Sequence, residues 1–166
     1  MGENIERVAM FKKALGNYPT GISVVTAIDE NNEPIGLTVN SFASVSIDPL
    51  LVLWSIDQNV TTYDTFRKID KFAINILAAN QRELAVLFST KEEERFDNCE
   101  WTLSENGLPL LTDAMATLEC DTFKTVEVGD HTTLFGHVKQ VDATEKAPLL
   151  YHRRHIGPFP EEFYNK

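Results

Sequence analysis

Apolar residues at Ile5, Val8, Ala9 and Leu15 are separated by charged ones, a spacing that predicts an amphipathic helix from Ile5 to Leu15. Pro19 and Gly21 stop it, and the β-branched run Gly21 to Ile28 predicts a strand. The polar turn Asp29 to Pro34 then reverses the chain into a second strand, Ile35 to Val39, as a hairpin. Leu50 to Ile56 and Phe72 to Leu77 are compact apolar runs and predict strands buried on both faces. Between them Thr61 to Arg67 predicts a short helix. Asn80 is placed to cap another from Gln81 to Phe88, with Leu84, Leu87 and Phe88 inward. Two long strands, Ala116 to Val128 and Thr132 to Val141, flank the reversal Gly129-Asp130-His131.

Strands dominate, and they do not alternate regularly with helices. The pattern predicts an α+β chain with a β core: about six antiparallel strands in a Greek-key barrel, with short flanking helices over its ends. The 166 residues suit a single domain, residues 1–166, with one core. No internal repeat is present.

Charge narrows the classes of partner. A formal net charge of −10 excludes a broad nucleic-acid surface, which needs clustered Lys and Arg. The dense basic cluster, His152-Arg153-Arg154-His155, reads either as a solvated turn or as a local contact for phosphate or carboxylate. The charged run Lys91 to Asp97, KEEERFD, reads as a solvated loop. No apolar run approaches the roughly 20 residues of a membrane span, and the amino terminus lacks the features of a secretory signal, so a cytoplasmic location with no membrane partner is expected. Cys99 and Cys120 are too few and too ill-spaced for a zinc site or disulfide scaffold, and Cys120 reads as a core residue. His131 and His137 flank a strand, and His152 and His155 sit in a basic tail with no carboxylate beside them, so no metal is expected.

The candidate chemistry lies between Pro34 and Ile56. Thr38, Asn40, Ser41, Ser44 and Ser46 concentrate hydroxyl and amide groups where the chain must turn. Such residues can satisfy their own backbone, or they can cradle an anion, a ribityl chain or a flavin edge. A second polar tip follows at Ser55 to Asp57, and Thr61, Thr62, Ser89 and Thr90 add hydroxyls. Nucleotide loops of the GxGxxG and Walker types, the GxSxG elbow and HExxH are all missing. A bound nicotinamide nucleotide would therefore sit outside a Rossmann fold. His131 reads either as a turn residue or as a titratable imidazole beside a ligand.

Five ordered blocks carry a family resemblance: Gly36-Leu37-Thr38-Val39-Asn40-Ser41-Phe42, Ser44-Val45-Ser46 with Asp48-Pro49, Phe72 to Leu77, Gly129-Asp130-His131, and Phe135-Gly136-His137-Val138. Together they span about residues 8–157 and the chain resembles the flavin reductase-like family of FMN-binding split barrels. The resemblance implies a homodimeric, six-stranded split β-barrel that reduces FMN or FAD with NADH or NADPH and hands reduced flavin to a partner monooxygenase. Carried onto this sequence, it puts Thr38, Val39, Asn40 and Ser41 against the flavin ring and ribityl chain. It puts Ser55, Ile56 and Asp57 at the other edge, Ser89, Thr90 and Thr62 at the phosphate, and His131 on the nicotinamide side as the catalytic residue. Two departures stand out: Pro49 is followed by Leu50 where the family often has a second proline, and Arg154-His155-Ile156-Gly157 replaces a Gly-aromatic tail, which bears on the choice of dinucleotide. Two other readings stay open: an FMN-retaining oxidoreductase with another substrate, and a non-enzymatic flavin-binding protein.

Overall fold

A computed structural model describes residues 2–91 and 94–163. In chain order the elements are α1 (Gly2–Asn17), β1 (Thr20–Gly21), β2 (Ser23–Ile28), β3 (Pro34–Val39), β4 (Ala43–Ile47), β5 (Leu50–Asp57), α2 (Tyr63–Phe66), β6 (Lys71–Ile76), α3 (Arg82–Leu87), β7 (Trp101–Leu103), β8 (Pro109–Leu111), β9 (Ala116–Val128), β10 (His131–Ala143), β11 (Leu149–His152) and β12 (His155–Pro158). The main sheet is antiparallel throughout and has seven hydrogen-bonded strands, ordered β3-β2-β6-β9-β10-β5-β4, where the sequence pattern led to about six. The additional strand is β4, whose residues are largely exposed and carry no alternation of buried positions.

The sheet curls on itself. Val25 and Val39 from one end of the strand order share a buried cluster with Val52, Trp54 and Ile56 from the other. Trp54 anchors this interior, with Phe66 and Phe72 packed edge-on to its indole at 5.3 and 5.8 Å. Gly136 on β10 admits Phe72: a Cβ there would stand 2.5 Å from the Phe72 ring.

β2 is buried along both faces because a second layer covers its outside. Val24 and Ile22 join Leu77, Ala85, Phe88, Leu111 and Leu149 in a second cluster, closed by α3, β8 and β11. Asn75 fixes that layer from within β6. Its amide donates to Val24 O and Thr26 Oγ1, and its Oδ1 accepts Leu111 N–H at 2.9 Å. Every polar atom of this fully buried side chain is thereby satisfied, which is the condition for an amide to sit in an apolar layer.

Two local expectations change. Gln81, and not Asn80, stands at the start of α3, where its Oε1 accepts Ala78 N–H and its Nε2 donates to Thr112 O. The Gln81 side chain thereby ties the start of α3 to Thr112, the residue after β8. The chain end, read as a mixed tail, forms the hairpin β11–β12, joined to β1 in a three-stranded sheet. Its two-residue turn holds Arg153 and Arg154 at φ 50° and 64°, a left-handed conformation that costs roughly 1–2 kcal/mol per non-glycine residue.

α1 forms as predicted, but its apolar side chains Ile5, Val8, Met10, Phe11 and Leu15 remain exposed on this chain. No helix among the described residues is long and apolar enough to cross a membrane.

Candidate functional site

β3 is an edge strand, so its outward backbone groups need partners from outside the sheet. Thr38 N–H donates to Phe88 O at 3.1 Å and Thr38 Oγ1 to Ala85 O at 2.8 Å, which ties β3 to the end of α3. Gly36 O accepts Arg95 Nη1 at 2.7 Å, and Arg95 Nη2 also reaches Thr90 O. A Cβ on Gly36 would stand 2.5 Å from the Phe88 ring, so glycine is what lets α3 and the Arg95 loop close over this edge.

Beyond Thr38 the strand ends. Val39 is buried in the main core cluster, and Asn40 is exposed with no side-chain hydrogen-bond partner among the described residues. Ser41 Oγ clamps β5: it donates to Ser55 O and accepts Ser55 N–H, each at 2.9 Å. Ser55 Oγ in turn meets Thr133 Oγ1 at 2.8 Å. Along the same ladder His131 pairs with Asp57, while Ile56 and Thr132 turn inward and are buried. Strand alternation therefore puts Ser55, Asp57, His131 and Thr133 on one outward face.

The two turn carboxylates have different partners. Asp57 accepts Asn59 N–H and Asn59 Nδ2, both at 2.8 Å, and these bonds hold its carboxyl below the ordinary range, with nearby His131 adding a smaller pull. Asp130 lies 2.7 Å from His131 Nδ1. A carboxylate only accepts, so Nδ1 donates and Nε2 is left to face outward. The imidazole is 44% exposed.

The phosphate candidates separate. Ser89 Oγ donates to Val86 O and Thr90 Oγ1 to Leu87 O, closing the last turn of α3. Thr62 differs. Its Oγ1 is buried and has no hydrogen-bond partner among the described residues. It lines a cleft of about 280 Å³ with Gly36, Lys91 and Arg95. Leaving a buried hydroxyl unpaired costs about 1–3 kcal/mol, and two cations beside it suit an anion with several acceptor oxygens. Lys91 and Arg95 belong to the run read as a solvated loop. Their signal is the adjacent Phe96, whose ring packs edge-on against Phe88 at 5.1 Å and draws the loop onto the second core cluster.

The site thus has two ends joined by β3. One is the hydroxyl-clamped turn Asn40-Ser41 beside Ser55 and His131. The other is the cationic cleft at Gly36, Thr62, Lys91 and Arg95. From Gly36 to Asn40 is four strand residues, about 13 Å. A curled antiparallel sheet with a polar turn past one end of β3 and a cationic cleft at the other fits a protein that binds a small anionic ligand.

Comparison with known proteins gives the family. The flavin reductase like domain matches residues 15–160. A flavin reductase of Pseudomonas putida is 35% identical over 150 residues, covering 90% of this chain and 88% of that protein. An FMN reductase (NADH) of Agrobacterium fabrum is 37% identical, covering 95% of this chain and 89% of its own. The chain is also 37% identical to the reductase component of a flavin-dependent trigonelline monooxygenase of Acinetobacter baylyi, of which it spans only 48%. Among solved structures, an NADH:FAD oxidoreductase of Streptomyces globisporus, in complex with NAD and FAD fragments, superposes with a TM-score of 0.87 at 32% identity. The match covers 93% of this chain and 94% of that one. The chain belongs to the flavin reductase-like family. It is an oxidoreductase of the flavin reductase class.

Proposed function

We propose that this chain, as one domain, reduces FMN or FAD with a reduced nicotinamide nucleotide and supplies the product to a separate monooxygenase. The observation that carries the flavin's placement is the orphaned Thr62 hydroxyl beside Lys91 and Arg95, which fits a phosphate monoester. Thr62, Lys91 and Arg95 would hold the phosphate, β3 would run beside the ribityl chain, and Asn40, Ser41 and Ser55 would lie at the ring. When bound, the flavin supplies a two-electron acceptor for hydride from the nicotinamide.

The chain's own residues position and shield. Ser41 fixes the turn through both polar groups of Ser55, so Asn40 is presented to the ligand with little backbone freedom. Val39 and Ile56 close the floor toward the apolar interior and keep water out of it. Asp130 orients His131, whose Nε2 can then donate or accept a hydrogen bond on the nicotinamide side. Thr38 acts at one remove by anchoring β3 to α3. Ser89 and Thr90 shape the rim of the cleft through the turn they close.

The uncovered apolar face of α1 supports assembly as a homodimer, since five large side chains on one helix gain stability only when buried. The split-barrel description, with six barrel strands in Greek-key order, draws support from β3, β2, β6, β9, β10 and β5, with β4 added at one edge. The names of relatives such as the trigonelline monooxygenase reductase component support a monooxygenase partner.

Steady-state oxidation of NADH and NADPH with FMN, FAD and riboflavin tests the activity. Turnover with at least one pair is expected, and no turnover with any pair would sink the proposal.

A further inference from the structure

The segment from Asp57 to Tyr63 is a strap that begins and ends against β10. At its start Asp57 pairs with His131, and Gln58 N–H donates to Asp130 O at 3.1 Å. Within it Asn59 N–H donates to the Asp57 carboxylate, Val60 N–H to Asp57 O, and Tyr63 N–H to Val60 O. Each of these bonds spans two or three residues, so the strap is a run of closed turns with little backbone freedom. At its far end the hydroxyls of Tyr63 and Thr132 meet at 2.8 Å.

Thr132 follows His131 on β10 and is fully buried, and its hydroxyl has no other hydrogen-bond partner among the described residues. The Tyr63 ring lies half-buried on the main core cluster. Arg67 stands over that ring, 5.7 Å from its centroid, and Asp64 holds Arg67 there at 2.9 Å. Phe66, packed on Trp54, already anchors α2 by apolar contact. Such contact favours burial without direction, whereas a hydrogen bond fixes distance and angle. For burial alone, Phe at 63 and Val at 132 would serve, because apolar groups of the same shape replace a buried polar pair at little cost. The hydroxyl pair therefore adds position to the packing.

What it positions is the preceding residue. Thr62 O accepts Phe66 N–H at 3.0 Å, and the Thr62 hydroxyl is buried without a partner in the cleft it shares with Lys91 and Arg95. Adjacent residues thus have opposite fates: Tyr63 is tied to β10, and Thr62 is left for the cleft. Their Cα atoms are about 3.8 Å apart across one peptide, so a shift of Tyr63 is passed to Thr62. A displaced hydroxyl loses its bond, since O–H···O contacts hold only over about 2.5–3.0 Å.

We infer that Tyr63 is a positioning residue for the phosphorylated flavin: its bond to Thr132 holds Thr62 where a phosphate oxygen meets it. The inference rests on the phosphate reading of the cleft given above. It makes discrimination between FMN and riboflavin depend on a tyrosine whose own hydroxyl is engaged by Thr132.

FMN and riboflavin affinities, read by flavin fluorescence quenching on the full chain, test it with Tyr63→Phe, Thr62→Val and the two combined. Tyr63→Phe should weaken FMN binding about three- to fivefold, no more than Thr62→Val does, and riboflavin binding by less than about twofold. In the Thr62→Val background, Tyr63→Phe should change FMN affinity by less than about 1.5-fold, because the group it positions is gone. Equal losses in both backgrounds, or no loss from Tyr63→Phe where Thr62→Val has one, overturn the inference and leave the cleft reading standing. No loss from either variant, or no FMN binding by the wild-type chain, overturns both. Adding Thr132→Val to Tyr63→Phe separates position from stability. The urea midpoint should recover toward the wild-type value while FMN affinity stays low. Recovery of both would mean that the hydroxyl pair serves the fold alone, and it too overturns the inference.

Discussion

Asn75 and Thr62 are both polar groups hidden from water, yet only one of them is satisfied. Asn75 makes three hydrogen bonds that join β2, β6 and β8, while Thr62 Oγ1 makes none among the described residues. The surroundings differ in the same sense. Asn75 is enclosed by apolar side chains of the second layer, whereas Thr62 opens on a cleft with Lys91 and Arg95. A satisfied amide in an apolar layer is part of the scaffold. An unsatisfied hydroxyl beside two cations is prepared for something that is not protein.

The largest effect should come from breaking the satisfied side. Asn75→Ala strands Leu111 N–H in a buried layer and removes two further side-chain bonds, and it should destabilise the fold by about 3 kcal/mol in urea titration. FMN affinity of the folded fraction should stay at the wild-type value. Arg95→Met breaks the other side. It removes a charge-assisted contact worth about 1.5–3 kcal/mol, so FMN affinity measured by fluorescence quenching should fall about 10–100-fold, with riboflavin affinity reduced much less.

Cys120 sharpens the contrast from inside the main core cluster. Burial pushes its thiol up to about 12 from an ordinary 9.0, with Asp121 and Glu119 adding to the rise. The folded state therefore keeps a proton that the unfolded chain gives up sooner. The stability this confers is complete below 9.0 and is lost as pH rises toward about 12. Relative to Cys120→Ala, the wild-type chain should lose about 1.4 kcal/mol more between about pH 8 and pH 10 in urea midpoints. Equal pH slopes would show that the thiol is not held neutral by the core.

The elements with strong periodicity were legible. β2, β3, β5, β6, β9 and β10 all fall where apolar or β-branched runs predict strands. β4 was not, because its Ala-Ser-Val-Ser-Ile run is short, polar and exposed, and its pairing with β5 is a long-range fact that local pattern does not carry. The β11–β12 hairpin escaped for a related reason: two arginines occupy turn positions that usually signal themselves by glycine or asparagine.

Within the site, hydroxyl content marked the neighbourhood without saying which hydroxyls were available. Ser41, Ser89 and Thr90 all bond to backbone carbonyls, so their polarity serves local structure first. Thr62 looks no different from them in sequence. Its isolation emerges only when α2 brings it against β3. Lys91 and Arg95 were obscured by the acidic residues around them, and it is the burial of Phe96 against Phe88 that turns a charged loop into one wall of the cleft.

The central claim is that Thr62 is kept for a phosphate, and Thr62→Val tests it directly because the side chain keeps its shape and loses only the hydroxyl. FMN affinity should fall about fivefold, the worth of one hydrogen bond near 1 kcal/mol. Riboflavin affinity should not change, and the ligand-free protein should be as stable as the wild type or slightly more so. FMN binding equal to wild type, together with a less stable ligand-free chain, would mean that Thr62 serves the fold and that the phosphate lies elsewhere.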